Sequence, residues 1–410
     1  ARFLGSQALG EYILVMATVN IIAVVMPLGF EATGTYFAAE YRAKGEGKLL
    51  RGFMLRAYTH IALTGALVII IGQPAARLFG EAGTAIASHW TPAAILAIAT
   101  AMVFVSGAML VGLKRPFAGY VAETLFRPLL AIAGFVVAIA FSGGVDGINQ
   151  ILWVLSIGYA VVAVAQLLML LRSARDIPAG EGAPKTEVRR WWYFAVPWVA
   201  LVVAGDFFFD IDLLLLAGHI PHEQLAVFGV CTRIFSLVAF GVGAVYAVTM
   251  PDMFESEALK DRDGFHRKIG DANLVASGLS VALLGAVLVL SPLAFWLFGP
   301  EFQQGVVPLG ILCVGLVVRS MFGPSSIVLS IHNRPYAALP AVGASLAALV
   351  AANLLLVPPL GLVGAALAAL IAMTVWSGAL WLTTLHVAGV DVSIRARLTA
   401  PRSLAIKPAE

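Results

Sequence analysis

Long apolar runs separated by short charged gaps dominate the chain. We predict eleven membrane spans, each with about 20 or more mainly apolar residues: 12–38, 53–73, 91–113, 119–141, 150–171, 193–217, 225–249, 272–298, 306–330, 336–357 and 361–385. The runs are continuous rather than alternating, which excludes a closed β-barrel. The pattern therefore predicts an all-α, polytopic membrane protein.

The composition agrees with this prediction. The 410-residue chain is 60% hydrophobic and only 12% charged, whereas soluble domains average about 25% charged residues. Only Cys231 and Cys313 are present, both inside apolar runs, so neither a disulfide framework nor a thiolate metal site is predicted. The sequence has no Walker A motif, no GxSxG motif and no paired metal ligands. We therefore predict no enzyme, no cofactor and no nucleic-acid partner.

The basic residues indicate the orientation of the chain in the membrane. Of the 26 Lys and Arg residues, 21 fall in one set of loops, while the opposite loops hold only Arg2 and Arg77. Because cytoplasmic loops carry the excess of Lys and Arg, the first set is predicted to be cytoplasmic. The polar loop 172–192 then becomes a cytoplasmic linker, and 386–410 a cytoplasmic tail.

Short matches recur in the same order on either side of this linker. Residues 74–80 (PAARLFG) resemble 292–299 (PLAFWLFG), and residues 91–96 (TPAAIL) resemble 307–312 (VPLGIL). Both copies of each match lie on the same side of the membrane, which indicates a parallel repeat with its axis along the membrane normal. Such repeats place the substrate between their halves.

The repeat predicts two pseudo-symmetric six-helix bundles, 1–171 and 193–385, so that 53–141 superposes on 272–357. The span 193–217 opens the second copy, and its counterpart would precede Ala1. We therefore expect twelve helices in the intact protein, with the first missing from this chain.

Several segments resemble a known family. The opening ARFLGSQALGEY, Pro27-Leu28-Gly29-Phe30 and the turn RAKGEGKLLR at 42–51 are similar to the start of a polysaccharide or O-antigen flippase. These flippases belong to the multidrug/oligosaccharidyl-lipid/polysaccharide exporter (MOP) superfamily. The second half resembles the family at DLLLLAG from Asp212, GPEF from Gly299 and NLLLVPPLGLVGAALAAL from Asn353. The resemblance covers nearly the whole chain.

The resemblance implies a two-lobe transporter of the bacterial inner membrane. Such a protein moves an undecaprenyl-pyrophosphate-linked oligosaccharide from the inner to the outer leaflet by alternating access, for surface polysaccharide synthesis. The implied partners are this lipid-linked oligosaccharide, membrane lipids and the polysaccharide polymerase or export machinery.

Carboxylates inside predicted spans are candidates for ion coupling, because a charge at bilayer depth is costly and marks function by default. Asp206 and Asp210 are four residues apart, which places them on one face of a continuous helix. They either line a cavity and couple a proton or cation, or pair with arginines on neighbouring helices. Glu31 follows the kink-forming sequence Pro27-Leu28-Gly29 and is a third coupling candidate. We expect Asp212 to be structural.

Three arginines inside spans are candidates for substrate binding: Arg319, Arg233 and Arg127. A guanidinium stays charged and binds phosphate in a bidentate manner, and Arg319 lies nearest the middle of its span. The alternative is an internal ion pair, for example Arg233 with Asp212. For Arg127, the sequence favours an ion pair with Glu123 four residues earlier, and the alternative is a role at a cytoplasmic gate.

Two other classes of protein are alternatives to the flippase. A multidrug or cation antiporter of the same superfamily would have an acidic, aromatic cavity, and Asp206 and Asp210 around Phe207–Phe209 favour it. The mid-span position of Arg319 argues against it. A membrane-embedded sugar polymerase or ligase would need a long outer loop with catalytic groups, and the outer loops here are short.

The predicted orientation is testable by cysteine labelling in intact cells. In a background with Cys231 and Cys313 replaced by Ala, we expect Ala179→Cys in the linker and Ser403→Cys in the tail to resist an impermeant maleimide. Thr84→Cys, in an outer loop, is the matched control and should be labelled. Labelling of Ala179→Cys from outside would contradict the predicted orientation.

Overall fold

The computed structural model describes residues 5–141, 146–179, 187–258, 262–331 and 335–395. Regular structure in these ranges is helical, which confirms a polytopic all-α membrane protein. Within them, nine helical segments are long and apolar enough to cross a membrane. Ten of the eleven predicted spans overlap these segments, because Tyr336–Val387 contains two. The middle of the predicted linker, 180–186, and the tail beyond 395 lie outside the described residues.

The helices run in chain order as α1 (Gly5–Val25), α2 (Phe30–Lys44), α3 (Gly47–Ala76), α4 (Gly80–Ser88), α5 (Trp90–Gly112), α6 (Pro116–Val121), α7 (Arg127–Phe141), α8 (Asp146–Arg175), α9 (Val188–Gly205), α10 (Phe208–Leu216), α11 (His222–Ala258), α12 (Arg262–Phe298), α13 (Val306–Phe322), α14 (Ser325–Ile331) and α15 (Leu339–Val387). A π-helical turn, Ala122–Phe126, joins α6 to α7.

The kink predicted after Pro27 is confirmed. The first apolar run is two helices, α1 and α2, separated by a turn in which Leu28 and Gly29 have φ of 54° and 85°. A Cβ on Gly29 would overlap the Ala195 carbonyl oxygen of α9. This position therefore needs glycine both for its backbone conformation and for the close approach of a neighbouring helix.

The span 193–217 is not one helix, which corrects the prediction for its two carboxylates. Helix α9 ends at Gly205 and α10 begins at Phe208, so Asp206 and Asp210 do not share one helical face. Asp206 is exposed, whereas Asp210 is buried. The break falls where glycine, a poor helix former, meets Asp206, because aspartate competes for backbone hydrogen bonds in a helix interior.

Glycines also interrupt the second half of the chain. At Gly323, φ is 78°, and this residue separates α13 from α14 within the predicted span 306–330. Gly361, with φ 55° and ψ −129°, divides the 49-residue α15 into two helices. That division agrees with the predicted limit between spans 336–357 and 361–385.

By packing, Ala1–Gly229 forms one compact unit. Its central helix is α5, which contacts α1, α2, α3 and α8. Its inward side chains, including Leu96, Val105 and Met109, are completely buried. Helices α9 and α10 also pack in this unit, against α1 and α2. The expected domain limits at 172–192 stay a prediction.

The second compact unit is Val230–Glu410. Within it, α13 packs against both α12 and α15. After α15, the segment 388–393 returns to this unit and buries Val390 and Val392 against Phe265 and Ile269 of α12. We call residues 388–393 the C-terminal segment.

The repeat predicted from the sequence has equivalent local features in the two halves. Pro74 and Pro292 both lie inside helices, and Gly80 and Gly299 both have positive φ. Superposition of 53–141 on 272–357 stays a prediction.

An ion-pair cluster joins α2 to the start of α9. The Arg190 guanidinium donates to Glu40 Oε2 at 2.7 Å and to Glu187 Oε2 at 2.9 Å. The Tyr41 hydroxyl donates to Glu187 at 2.9 Å and accepts from Trp191 Nε1 at 2.6 Å. Burial would raise the pKa of Glu40, but hydrogen bonds from its basic neighbours, Arg190 first, outweigh burial and lower it. The cluster therefore holds the start of α9 against α2 within the first unit.

We expect Arg190→Ala to lower the free energy of unfolding by about 1–2 kcal/mol, because two half-buried carboxylates lose their shared cation. Arg189→Ala, at the exposed neighbouring position, is the matched control and should have little effect. The pKa of Glu40 is lowered from 4.5. The stabilisation by its charged form is therefore fully present above pH 4.5 and is lost as the pH falls through the lowered pKa. Thermal unfolding of the purified protein measures both effects, and equal losses in the two variants would contradict the assignment.

Candidate functional site

A buried polar chain links three helices of the first unit. The side-chain amide of Asn20, on α1, donates to Asp210 Oδ1 at 3.2 Å and its oxygen accepts from Arg127 Nη2 at 2.6 Å. Arg127 also pairs with Glu123 at 3.6 Å and lies 5.9 Å from the centre of the Tyr159 ring. The structure thus brings together two predicted site residues, Arg127 and Asp210, through an asparagine that the sequence analysis did not single out.

The ion pair that the sequence favours for Glu123 and Arg127 is confirmed. Glu123 lies in the π-helical turn Ala122–Phe126, and Arg127 directly follows this turn with its backbone N–H bonded to the Ala122 carbonyl. Just before this turn, the Gln166 side chain donates to the Ala118 and Gly119 carbonyls at 2.8 and 3.0 Å. Such π-turns are frequent at functional sites, and this one brings the Glu123 carboxylate close to the Arg127 guanidinium.

An acidic cavity shares Glu123 with this chain. It has a volume of about 190 Å³ and is also lined by Glu31, Thr35, Phe104 and Tyr120. Glu31 lies within electrostatic range of both Glu123 and Asp206. The cavity therefore gathers carboxylates, which are the acceptors that a proton or a metal cation requires.

The predicted coupling residues thus lie in one region of the first unit. Glu31 lines the cavity, Asp206 is close to it, and Asp210 joins the same region through Asn20. Asp212 is completely buried in α10. The coupling roles of Glu31, Asp206 and Asp210 stay predictions.

A second cavity, of about 150 Å³, lies within the second unit and is lined by Arg319. Other lining side chains are Tyr246 from α11, Ser325 from α14, and Trp376 and Ser377 from α15. None of the described residues that line it is acidic. The cavity thus combines one guanidinium with hydroxyl and aromatic groups, which suits an anion rather than a cation.

Glycine shapes one wall of this Arg319 cavity. Gly323 ends α13 four residues after Arg319, and the chain restarts as α14 at Ser325. A Cβ on Gly323 would overlap the Val392 carbonyl oxygen of the C-terminal segment. The positive φ of this residue and its lack of a side chain together let the C-terminal segment approach the wall of the cavity.

A buried asparagine ties the C-terminal segment to the same wall. Asn273 accepts a hydrogen bond from the Tyr246 hydroxyl at 3.0 Å and donates to the Val392 carbonyl at 3.0 Å. Asp391 accepts from Trp381 Nε1 at 2.8 Å and from the Ser393 N–H at 2.9 Å. Burial would raise the pKa of Asp391, but these bonds, with that from Trp381 the largest, outweigh burial and lower it. The C-terminal segment is therefore part of the scaffold of the cavity.

The two other candidate arginines do not line the Arg319 cavity. Arg127 belongs to the first unit, where it contacts Glu123 and Asn20. Arg233 is exposed on α11. Their roles in substrate binding stay predictions.

Comparison with solved structures identifies the fold. The chain is similar to a multidrug resistance MATE family transporter of the MOP superfamily in an inward-facing conformation, with a TM-score of 0.77, 15% identity and coverage of 97% of this chain and 92% of that one. It is also similar to the lipid II flippase MurJ, with a TM-score of 0.67, 14% identity and coverage of 96% and 88%. No protein-family model and no curated protein sequence matches the chain.

A third similar structure is a MOP superfamily transporter from Pyrococcus furiosus, with a TM-score of 0.64, 14% identity and coverage of 93% and 88%. The binding pocket of that transporter has reversed polarity, which suggests that its function differs. At these identities the similarities show the fold alone. The protein is thus a polytopic membrane protein with the fold of the MOP superfamily transporters.

We expect Asn20→Ala to lower the free energy of unfolding by about 1–3 kcal/mol, because Arg127 and Asp210 lose the buried hydrogen-bond partner that they share. Thr18→Val on the same helix is the control, since the Thr18 hydroxyl bonds within its own helix, to the Leu14 carbonyl. Thermal unfolding in detergent gives the comparison. If Thr18→Val lowers the free energy of unfolding as much as Asn20→Ala does, the polar chain does not stabilise the first unit.

Proposed function

We propose that the protein is a flippase that moves a lipid-linked oligosaccharide, carried on undecaprenyl pyrophosphate, from the inner to the outer leaflet of the bacterial inner membrane. The transport would serve surface polysaccharide synthesis, with a polysaccharide polymerase or export machinery as downstream partner. The fold supports this proposal, since one of the similar structures is a lipid II flippase. The family resemblance of the sequence supports the same class of substrate.

The observation that carries the proposal is the cavity around Arg319. Arg319 lies in the last turn of α13, and its guanidinium lines this cavity beside hydroxyl and aromatic side chains. The lining residues described around this cavity include no carboxylate. A pyrophosphate group supplies the negative charge and the planar acceptor geometry that a guanidinium fits.

Transport against a gradient requires a second, coupled event. The acidic cavity of the first unit, with Glu31 and the nearby Asp206, offers a site for a proton or monovalent cation. Asp210 extends this region through Asn20 to Arg127. In the proposed mechanism, ion binding at these carboxylates biases the alternating-access equilibrium, while Arg319, assisted by Arg233 or Arg127, binds the substrate.

The alternative function is a multidrug or cation antiporter of the same superfamily. One observation favours it: the acidic cavity also contains aromatic side chains, Phe104 and Tyr120, and such a lining suits an organic cation. One of the similar structures is a multidrug resistance transporter. This alternative gives no role to Arg319, which would repel a cationic substrate.

The test replaces Arg319 in a strain whose surface polysaccharide depends on this transporter. We expect Arg319→Ala to abolish export while the protein stays abundant and correctly inserted. Arg319→Lys should restore export only in part, because an ammonium cannot reproduce the planar fork. Surface polysaccharide normalised to membrane abundance is the measurement.

Two outcomes would contradict the flippase. Unchanged export per molecule in Arg319→Ala would remove this residue from the substrate site. Efflux of a cationic dye that requires Glu31 and not Arg319 would favour the antiporter.

A further inference from the structure

We propose that Ser325 and Ser377 are direct substrate ligands, whose hydroxyls donate hydrogen bonds to the oxyanion bound by Arg319. This inference rests on the proposed function, because it concerns the same cavity. It adds the two groups that would recognise phosphate oxygens and that no motif in the sequence indicates.

Both serines are buried in the wall of the Arg319 cavity. Their side chains are 3% and 5% exposed, respectively, and both residues line the Arg319 cavity. Neither hydroxyl has a hydrogen-bond partner among the described residues. Buried polar groups in native proteins are almost always hydrogen-bonded, so two unpaired hydroxyls in one cavity need an explanation. A ligand that accepts hydrogen bonds provides one.

A third serine in the same cavity shows the contrast. Ser320, on α13, also lines the cavity, but its hydroxyl lies 2.8 Å from Ser280 Oγ and donates to the Leu316 carbonyl at 3.0 Å. Its hydrogen-bonding capacity is used within the protein. The unpaired state of Ser325 and Ser377 is therefore not a general property of serines in this wall.

The ligand class follows from the charges around the hydroxyls. A serine hydroxyl can donate to an anion or accept from a cation, so it does not decide the sign of the ligand by itself. Arg319 repels cations, and the described lining includes no carboxylate to attract them. Donors from Ser325, Ser377 and Arg319 lie on three different helices, α14, α15 and α13. Three donors in the lining of one cavity suit a compact oxyanion with several acceptor oxygens, as in a phosphate or pyrophosphate group.

The test measures binding of inorganic pyrophosphate to the purified full chain in detergent, by calorimetric titration and by the shift in unfolding temperature. The variants are Ser325→Ala, Ser377→Ala and Arg319→Ala. The matched control is Ser291→Ala, because Ser291 on α12 is 3% exposed and also lacks a hydrogen-bond partner among the described residues. Ser291 does not line the cavity.

We expect Ser325→Ala and Ser377→Ala to weaken pyrophosphate binding without lowering the stability of the protein. Each Ser→Ala change removes an unpaired buried hydroxyl, so the ligand-free unfolding temperature should stay the same or rise. Ser325→Ala and Ser377→Ala should each weaken pyrophosphate binding by about tenfold, the loss expected for a hydrogen bond to a charged group. Ser291→Ala should bind as the wild type does, and Arg319→Ala should abolish binding.

The outcomes separate this inference from the proposed function. If Ser325→Ala and Ser377→Ala bind pyrophosphate normally while Arg319→Ala does not, the serines are not ligands and the anion site stands without them. If the wild type binds tetraphenylphosphonium but not pyrophosphate, both the inference and the flippase are overturned. Equal weakening in Ser291→Ala would show a general effect of the substitution and would also refute the assignment.

Discussion

The absence of water inside the bilayer determines how this protein uses its few polar side chains. A polar group there must find a partner within the protein or accept a large desolvation cost. The first unit meets this requirement with long side chains linked in series, from Asp210 through Asn20 to Arg127. The second unit meets it with Asn273, which joins Tyr246 to the carbonyl of Val392. Two buried serines beside Arg319, Ser325 and Ser377, have no hydrogen-bond partner among the described residues and line the same cavity as its guanidinium.

The same constraint explains where the helices break. Backbone that leaves helical geometry at membrane depth is tolerated only where it is buried in protein or lines a cavity. The turn 26–29 ends two positions before Glu31, and the break between α9 and α10 contains Asp206. Gly323 separates Arg319 from Ser325, and all three line one cavity. The interruptions therefore coincide with the groups proposed to bind ions or substrate, as in transporters whose sites are built from discontinuous helices.

Much of the fold was predictable because it depends on local hydrophobicity. Ten of the eleven predicted spans and the kink at Pro27 depend on nearby residues alone. The break at Asp206 was not predicted, since the run continues to be apolar and has no proline there. The partnership of Arg127 with Asn20 was also missed, because it joins residues 107 positions apart. The available signal was the presence of a lone asparagine in the apolar run 12–38. Ser325 and Ser377 gave no signal, since only the packing of α13, α14 and α15 shows that their hydroxyls are unpaired.

The two cavities have opposite chemistry, and this difference bears on the choice between flippase and antiporter. Carboxylates and arginines that share one low-dielectric space pair with each other, as Glu123 and Arg127 do, and paired groups lose much of their attraction for a ligand. The Arg319 cavity lies within the second unit, and the Glu31 cavity within the first. A cation antiporter needs only the acidic cavity, so it gives no role to the basic one. An exporter of an anionic lipid coupled to a cation needs both, because its substrate and its coupling ion have opposite charges. The flippase hypothesis is therefore the one that gives each cavity a ligand.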